Sequence, residues 1–185
     1  MSFSPRLASA VFALIFGMMA APAMAQDVQP TRLDTIMQTI TADEQPVRSN
    51  YASLADAVAA QSLGDVDDET SCMAGAIYFE SKGEPLTGQL AVADVILNRI
   101  RSGRFADTIC SVVTQRGQFS FVRDGRVPDI ADCAYYRTAI AVARVAMSDA
   151  WQSPAAGALF FHARRISPGW RHEQIATIGN QVFYR

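Results

Sequence analysis

Apolar residues between positions 71 and 99 recur with helical spacing on both sides of a break at Gly83. In the first segment Met73, Ile77 and Glu80 lie four and then three residues apart, which places all three on one face of a helix. That face should pack on the core, because it carries the large apolar side chains. The pattern therefore predicts two helices joined by a tight bend, with a carboxylate on the buried stripe of the first.

Capping residues mark where these helices begin. Thr70 or the serine after it is predicted to cap the first helix, and Thr87 the second, which should run to about Arg101. The second helix is apolar around most of its circumference, which is typical of a helix at the centre of a domain. Asp132 is predicted to cap a third long helix, over 133–149, whose alanine-rich sequence also indicates burial.

Residues 117–126 alternate between aromatic and polar side chains and end in an Asp-Gly pair, a pattern that predicts a β-hairpin. In such a strand Phe119 and Phe121 point to one face, while Gln118 and Ser120 point to the other.

Two further segments, 158–162 and 178–184, have the composition of short strands. Three main helices and a few short strands predict an α+β domain, mainly helical, with a short hairpin.

The first 25 residues have the pattern of a secretory signal peptide, and an uncleaved anchor is the alternative. Their apolar run is too short to span a bilayer comfortably, and Ala23-Met24-Ala25 forms a small-residue cleavage signal. Residues 26–69 are polar, with weak apolar periodicity, and are interpreted as an acidic linker or N-terminal arm, partly disordered. Residues 70–185 are expected to form one domain.

Charge is divided unevenly along the chain. Residues 26–69 hold nine acids and two arginines, a net charge of −7, whereas residues 70–185 hold nine acids and thirteen bases, a net charge of +4. A mildly basic domain suits an anionic polymer such as a cell-wall glycan, although an ordinary solvated surface can carry the same charge. There is no dense Lys/Arg cluster, so no nucleic-acid partner is expected.

The three cysteines are Cys72, Cys110 and Cys133. In an exported protein one disulfide is expected, with one thiol left over, and three pairings are possible. The sequence favours Cys110–Cys133, because Cys72 has the character of a small apolar residue on the first helix.

Metal and thiol chemistry are poorly supported. His162 and His172 are the only histidines, and neither lies at a spacing typical of a metal site, so no metal or other cofactor is expected. A Cys–His peptidase would need a reactive thiolate, and in an oxidising compartment a disulfide is the simpler interpretation. No serine-hydrolase, P-loop or dinucleotide motif is present.

Carboxylate chemistry on a glycan remains. A buried Glu80 would be kept protonated near neutral pH and could act as a general acid; the alternative is a structural hydrogen bond at the edge of the stripe. Glu84 is a possible second acid of a retaining pair, and its alternative is to cap the next helix or to bind Arg99.

Four segments match a known family in order: AIYFESKGEPLTGQLAVADVILNR, QFSFVRDGR, GALFFHA and IGNQVFYR. Residues 70–185 thereby resemble the SleB/CwlJ family of cell wall hydrolases. The resemblance implies a lysozyme-like fold and cleavage of peptidoglycan glycan strands. It also places the catalytic glutamate of the family's E-A-R-G-E motif on Glu80, and the second glutamate of that motif on Glu84.

The resemblance implies a lytic transglycosylase that acts between MurNAc and GlcNAc, with Glu80 as general acid and base. The signal peptide pattern implies that the enzyme is periplasmic or secreted. Its partner would be peptidoglycan, with no membrane span after signal cleavage. A hydrolytic muramidase using Glu80 and Glu84, or a non-catalytic wall-binding protein on the same scaffold, are the alternatives. The candidate substrate-binding groups are Gln118, Ser120, His162 and Tyr184. For the first two the alternative is an ordinary solvated strand face, and for the last two it is a structural role.

Overall fold

The structure is a computed structural model and describes residues 50–185, which fall within one compact unit. The signal peptide predicted for residues 1–25, and residues 26–49 of the predicted linker, lie outside the described residues. No helix of the described part is long and apolar enough to cross a bilayer. In residues 50–185 the elements are α1 (Leu54–Ala59), α2 (Asp68–Ser81), α3 (Leu86–Arg101), α4 (Ile109–Thr114), α5 (Ala134–Met147), β1 (Phe160–Ala163), β2 (Gln174–Ile178) and β3 (Gln181–Tyr184).

Helix α3 is the centre of the domain, as predicted. Every residue from 88 to 96 is buried, and the helix packs against α2, α4 and α5. Leu90 and Ile96 belong to the core cluster shared with these helices, whereas Val92 and Val95 pack with Phe183 of β3 in a second cluster. The helix is therefore covered by helices on one side and by the sheet on the other, which explains why apolar residues surround it.

The bend between α2 and α3 forms where it was predicted, but the caps differ. Asp67, and not Thr70, caps α2. The side chain of Asp67 accepts a hydrogen bond of 2.7 Å from the backbone N–H of Thr70. A carboxylate at this position also interacts favourably with the positive end of the helix dipole. Gly83 has a φ of +85° beyond the end of α2, and α3 begins directly after Pro85 instead of at Thr87.

The sheet has the strand order β1-β3-β2, and both pairs are antiparallel. The predicted strand over 178–184 is therefore two strands, which a turn at Gly179 and Asn180 divides. Val182 and Phe183 of the central strand are buried, and Phe183 pairs with Phe161 of β1. The predicted α+β class is confirmed.

In the segment predicted as a hairpin, only the turn forms. Asp124 and Gly125 have φ values of 50° and 71°, and Arg123 and Arg126 exchange two backbone hydrogen bonds of 3.0 and 2.8 Å. The prediction of extended strands over residues 117–126 is wrong. The residues before the turn form local backbone hydrogen bonds; for example, the N–H of Gln118 donates to the carbonyl of Gln115. Backbone groups that bond in this way are not available for pairing between two strands.

The alternation of side chains in this segment survives without a strand. Phe119 and Phe121 are buried, Gln118 is half-buried and Ser120 is exposed. The aromatic residues still point to the core, because burial of two phenyl rings does not require an extended backbone.

The disulfide joins Cys72 to Cys110, so the predicted Cys110–Cys133 pairing is wrong. Cys72 is half-buried at the edge of α2 and faces the start of α4, with 5.2 Å between the two Cα atoms. Glu69, almost one turn earlier on α2, accepts a hydrogen bond of 2.7 Å from the N–H of Ile109 and helps to hold the two helices side by side. Cys133 is a free thiol at the N-cap of α5.

Helix α5 starts after Cys133, so Asp132 is not its cap. The carboxylate of Asp132 instead pairs with Arg137 at 2.7 Å on the exposed surface. The third predicted helix is present, and it ends at Met147.

Part of the predicted linker packs on the domain. Leu54 and Ala57 of α1 are buried in the main core cluster. Arg144 of α5 donates a hydrogen bond of 2.6 Å to the carbonyl oxygen of Asp65, which ties down the chain between α1 and α2. The domain boundary at residue 70 stays a prediction. The hydrophobic core itself includes residues of α1, which precede that boundary.

Candidate active site

A cavity of about 540 Å³ opens where the end of α2 meets the sheet. It is lined by Phe79, Glu80, Arg99, Gly117, Gln118, Phe119, Phe160, Phe161, His162, Ala163, Arg165, Trp170 and Gln181. Glu80 is the single carboxylate in this lining. The cavity thus combines one acid with aromatic walls and several polar side chains.

Glu80 occupies the last turn of α2, one residue before the helix ends. Met73 and Ile77 on the same stripe are fully buried, as the spacing predicted. The backbone carbonyl of Glu80 accepts a hydrogen bond of 2.9 Å from Gln181 of β3, which fixes the end of the helix against the sheet. The backbone of Glu80 is therefore held at the cavity, and its half-buried side chain forms part of the lining.

Burial raises the pKa of the Glu80 carboxyl, because desolvation disfavours the charged form. The positive charge of Arg99 acts in the opposite direction and lowers this pKa, but it is the smaller effect. Desolvation thus favours the protonated form of Glu80, which is the form that a general acid needs.

Arg99 projects from the last turns of α3 and is only 5% exposed. Its Nε donates a hydrogen bond of 2.9 Å to the carbonyl of Leu159, and its guanidinium lies 5.1 and 5.5 Å from the rings of Phe105 and Phe119. Burial lowers the pKa of Arg99 to about 10, although the charge of Glu80 partly offsets this. Nη1 of Arg99 is buried and has no hydrogen-bond partner among the described residues.

From the sequence, Arg99 was predicted only as a possible partner of Glu84. The structure instead places Arg99 in the cavity with Glu80. Sequence spacing gave no sign of this, because the two residues belong to different helices.

Glu84 does not line this cavity. Its Oε2 accepts from the backbone N–H of Asn180 at 2.9 Å, and its Oε1 accepts from the side-chain amide of Asn180 at 3.0 Å. Its backbone carbonyl accepts a further hydrogen bond from Gln89, at 2.9 Å. The side chain thus joins the α2–α3 bend to the turn between β2 and β3, a structural contact that differs from both alternatives considered for Glu84.

Of the two polar residues on the segment after α4, the structure brings one to the cavity. Gln118 lines the cavity, whereas Ser120 is exposed and does not. The carbonyl of Ser120 accepts a hydrogen bond of 2.6 Å from Arg123. The local turns before the Asp-Gly pair account for this separation, because they rotate the two side chains apart.

His162 lines the cavity, and Tyr184 supports it from outside the lining. Nδ1 of His162 lies 2.9 Å from the carbonyl of Ala163, and Nε2 lies 2.9 Å from the hydroxyl of Tyr184. A carbonyl can only accept, so Nδ1 carries a proton, and Nε2 of the neutral ring accepts from the tyrosine hydroxyl. The rings also stack, with centroids 5.2 Å apart.

Phe79 and Trp170 line the cavity with exposed rings, and neither was singled out from the sequence. Phe79 is 39% exposed and stacks on Phe121, and Trp170 is 43% exposed. The sequence held a signal for Trp170, because a tryptophan directly after Pro168-Gly169 in a polar loop has no apolar periodicity to place it in a core. Phe79 gave no such signal, since it follows an apolar helical segment.

Asp94 is the other acid with a clearly raised pKa, and it lies outside the cavity lining. Desolvation raises its pKa to about 6, and a hydrogen bond with Ser153 acts in the opposite direction. One of its oxygens, Oδ2, is buried and has no hydrogen-bond partner within residues 50–185. The raised pKa therefore does not distinguish Glu80 by itself; its place in the cavity does.

Within residues 50–185 no group of three or more His, Cys, Asp or Glu side chains could hold a metal ion.

Fold and site together define a small α+β domain of the lysozyme-like class, with one half-buried acid in an aromatic cleft. The chain belongs to the cell wall hydrolase family, because the family model described as Cell Wall Hydrolase matches residues 83–184.

Curated relatives support this assignment. The spore cortex-lytic enzyme of Halalkalibacterium halodurans is 38% identical over 125 residues, 65% of this chain and 36% of that protein. The enzyme of the same name from Bacillus cereus is 35% identical over 126 residues, 65% of this chain and 45% of that protein. The chain thus spans less than half the length of these relatives.

Two solved structures are also similar. The catalytic domain of the germination-specific lytic transglycosylase SleB from Bacillus anthracis has a TM-score of 0.57 and 32% identity; the match covers 68% of this chain and all of that one (100%). The catalytic domain of the Bacillus cereus SleB protein has a TM-score of 0.53 and 31% identity, covering 67% of this chain and 94% of that one. These matches agree with the predicted lysozyme-like fold.

Proposed function

We propose that the protein cleaves the glycan strands of peptidoglycan between MurNAc and GlcNAc, as a lytic transglycosylase. The observation that carries the proposal is the desolvated carboxyl of Glu80, the single acid in an aromatic-lined cavity. The similar Bacillus anthracis domain, which is described as a lytic transglycosylase, supports this choice of reaction.

In the proposed reaction Glu80 first acts as a general acid. Its proton passes to the glycosidic oxygen while the bond from that oxygen to C1 of MurNAc breaks, and positive charge develops on the sugar ring. The carboxylate then accepts the proton of the MurNAc 6-hydroxyl as that oxygen bonds to C1. The products are a free GlcNAc 4-hydroxyl and a 1,6-anhydro-MurNAc end, and no water is consumed.

The other cavity residues have distinct roles in this scheme. Arg99 stabilises the Glu80 carboxylate between the two steps, since its charge already favours ionisation of that group. Gln118 and His162 offer hydrogen-bonding groups to the sugars. The carbonyl of Ala163 fixes the tautomer of His162, and the hydroxyl of Tyr184 holds the other ring nitrogen. Ser120 and Tyr184, which do not line the cavity, are weaker candidates for direct contact.

A second acid is not required, and this fits the position of Glu84. Both of its carboxylate oxygens accept hydrogen bonds from Asn180, and Glu84 is not part of the cavity lining. The hydrolytic alternative needs a water or a second carboxylate opposite Glu80. The structure supplies no observation that favours it.

The proposed location is outside the cytoplasm, in the periplasm or secreted. The signal peptide pattern of residues 1–25 supports it, because a peptidoglycan substrate lies beyond the inner membrane. We propose the same division of the chain as before: signal peptide, acidic arm over 26–69 and cell wall hydrolase domain over 70–185, with α1 docked on that domain.

The test is a digest of purified peptidoglycan analysed by mass spectrometry, with residues 26–185 and its Glu80→Gln variant. We expect anhydro-MurNAc ends from the parent chain and a loss of rate of about a hundredfold or more in the variant. The glutamine variant should unfold at nearly the parent temperature, which separates loss of chemistry from loss of fold.

Other outcomes would contradict parts of the proposal. Reducing ends, heavier by one water, would indicate a hydrolytic muramidase. Binding to peptidoglycan without new ends would indicate a non-catalytic wall-binding protein. Full activity of Glu80→Gln would remove Glu80 from the reaction.

A further inference from the structure

Trp170 lies between two cavities. It lines the cavity that holds Glu80 and also a second cavity of about 330 Å³. His162 lines both as well. The two cavities are therefore neighbours that share a wall made of an indole and an imidazole.

The indole ring of Trp170 is held at a fixed angle by its neighbours. The rings of Phe160, His162, His172 and Tyr184 contact it with centroids 6.1, 5.5, 5.8 and 5.9 Å away, at steep angles to its plane. Even so, 43% of Trp170 remains exposed. A large aromatic surface that is both rigid and exposed is costly to leave in water, and it is typical of a binding surface.

The second cavity offers both apolar and polar groups. Its remaining lining consists of Arg164, Ile166, Ser167, Pro168, Gly169, Val182 and Tyr184. The loop that carries most of them is anchored, because the N–H of Arg164 donates to Asn180 and that of Ile166 to Ala163, both at 2.8 Å. A sugar ring presents C–H groups on its faces and hydroxyls at its edge, so it can contact both kinds of surface at once.

We propose that the second cavity is a further sugar subsite, which binds the N-acetylhexosamine adjoining the pair held next to Glu80. Trp170 is the shared wall on which the strand is supported as it passes from one cavity to the next. The inference rests on the proposed function, since it assumes that a glycan strand occupies the first cavity.

The test uses the intrinsic fluorescence of the chain, which has two tryptophans. Trp151 is half-buried and packs against the core, whereas Trp170 is exposed at the cleft. In the Glu80→Gln background, we would titrate purified peptidoglycan disaccharide and tetrasaccharide fragments into the parent, Trp151→Phe and Trp170→Phe chains. We expect the ligand-dependent change in emission to persist in Trp151→Phe and to disappear in Trp170→Phe.

Calorimetry then measures affinity by ligand length. Trp170→Ala should weaken binding of the tetrasaccharide by about fivefold to tenfold, the loss expected for one aromatic contact, and weaken the disaccharide less. Ser167→Trp, which fills the second cavity and leaves the wall intact, should weaken only the tetrasaccharide. Thermal unfolding of each variant confirms that it is folded.

Equal affinity of Trp170→Ala and the parent for both ligands, or an emission change that depends on Trp151 alone, would overturn the subsite. These results are independent of cleavage. If the chain binds glycan through Trp170 but yields no new glycan ends, the proposed function is contradicted and the subsite is supported. If the chain cleaves glycan and the Trp170 variants have no effect on binding, the subsite is contradicted and the proposed function is supported.

Discussion

At the scale of single residues, two buried acids show how position decides function. Glu80 and Asp94 both have raised pKa values, mainly from desolvation. Asp94 is buried outside the lining of the cleft, with Ser153 as its partner, whereas Glu80 and Arg99 both belong to that lining. A carboxylic acid is useful as a proton donor only where a substrate oxygen can reach it.

The electrostatic effect of Arg99 on Glu80 predicts how the pH dependence of cleavage changes when that charge is removed. The positive charge of Arg99 favours ionised Glu80, so removal of that charge raises the pKa of Glu80. The proton donor then stays protonated to higher pH, and the falling limb of kcat/KM should move to higher pH in Arg99→Met. The measurement is the pH dependence of anhydro-end formation.

Arg99→Lys is the matched control, because it keeps the charge. Its falling limb should stay close to that of the parent chain. Both variants lose the hydrogen bond from Nε to Leu159 and should be less stable by about 1–3 kcal/mol, so the profiles are recorded well below the unfolding temperature. A limb at the parent position in Arg99→Met would show that Arg99 does not control the ionisation of Glu80.

Local spacing predicted Glu80 on its stripe but not its surroundings. Met73 and Ile77 lie on the same helix, so a single period determines their common face. The placement of Arg99 in the same cavity depends on how α2 packs on α3, and the wall at Trp170 depends on a loop. Neither leaves a periodic signal in the sequence.

At the scale of elements, Glu84 connects two turns that are far apart in sequence. Its carboxylate binds the backbone and side chain of Asn180, and Gly179 lies so close that a side chain there would collide with it. Gly179 also has a φ of +56°, a conformation that favours glycine. The β2–β3 turn is thus shaped to accept the carboxylate from the start of α3.

This contact predicts a structural effect for Glu84→Gln. An amide has only one acceptor oxygen in place of two, so one of the hydrogen bonds from Asn180 is lost. We expect the free energy of unfolding to fall by about 1–2 kcal/mol. The loss of cleavage should be far smaller than in Glu80→Gln, as measured by urea unfolding and the muropeptide digest.

Asn180→Ala is the matched control for that contact. It should lower stability by a similar amount, and the double variant should be little worse than either single one, because both remove the same interaction. Loss of cleavage in Glu84→Gln on the scale of Glu80→Gln would instead support a second catalytic acid.

The elements that were predicted well are those with many repeats of one period. Helices α2, α3 and α5 have long patterns, and their existence was confirmed. The segment over 117–126 has too few residues for alternation to distinguish a strand from consecutive turns, and local hydrogen bonds decided the outcome. The turn at Asp124 was still predictable, because its positive φ needs Asp-Gly chemistry.

At the scale of the whole molecule, α3 packs between the other helices and the sheet. The disulfide joins α2 to α4 within the helical part. Cys72 was predicted to be a small apolar residue of the first helix, yet it is half-buried and bonded to Cys110 of α4. Which cysteines meet is determined by tertiary packing, and the local patterns that favoured Cys110–Cys133 carry no information about it.

The Cys72–Cys110 bond predicts the last result. It closes a segment with a sequence separation of 38, so the double variant Cys72→Ala, Cys110→Ala should lose about 4 kcal/mol in free energy of unfolding, chiefly because its unfolded chain is less restricted. Urea unfolding checks this, and a reductant should destabilise the parent chain but not the double variant. Cys133→Ala should change stability by about 1 kcal/mol or less, since its thiol takes no part in the bond. If Cys133→Ala were the more destabilised chain and the double variant matched the parent, the bond would contribute nothing, and packing of α2 on α4 with the hydrogen bond from Ile109 to Glu69 would suffice to hold that edge.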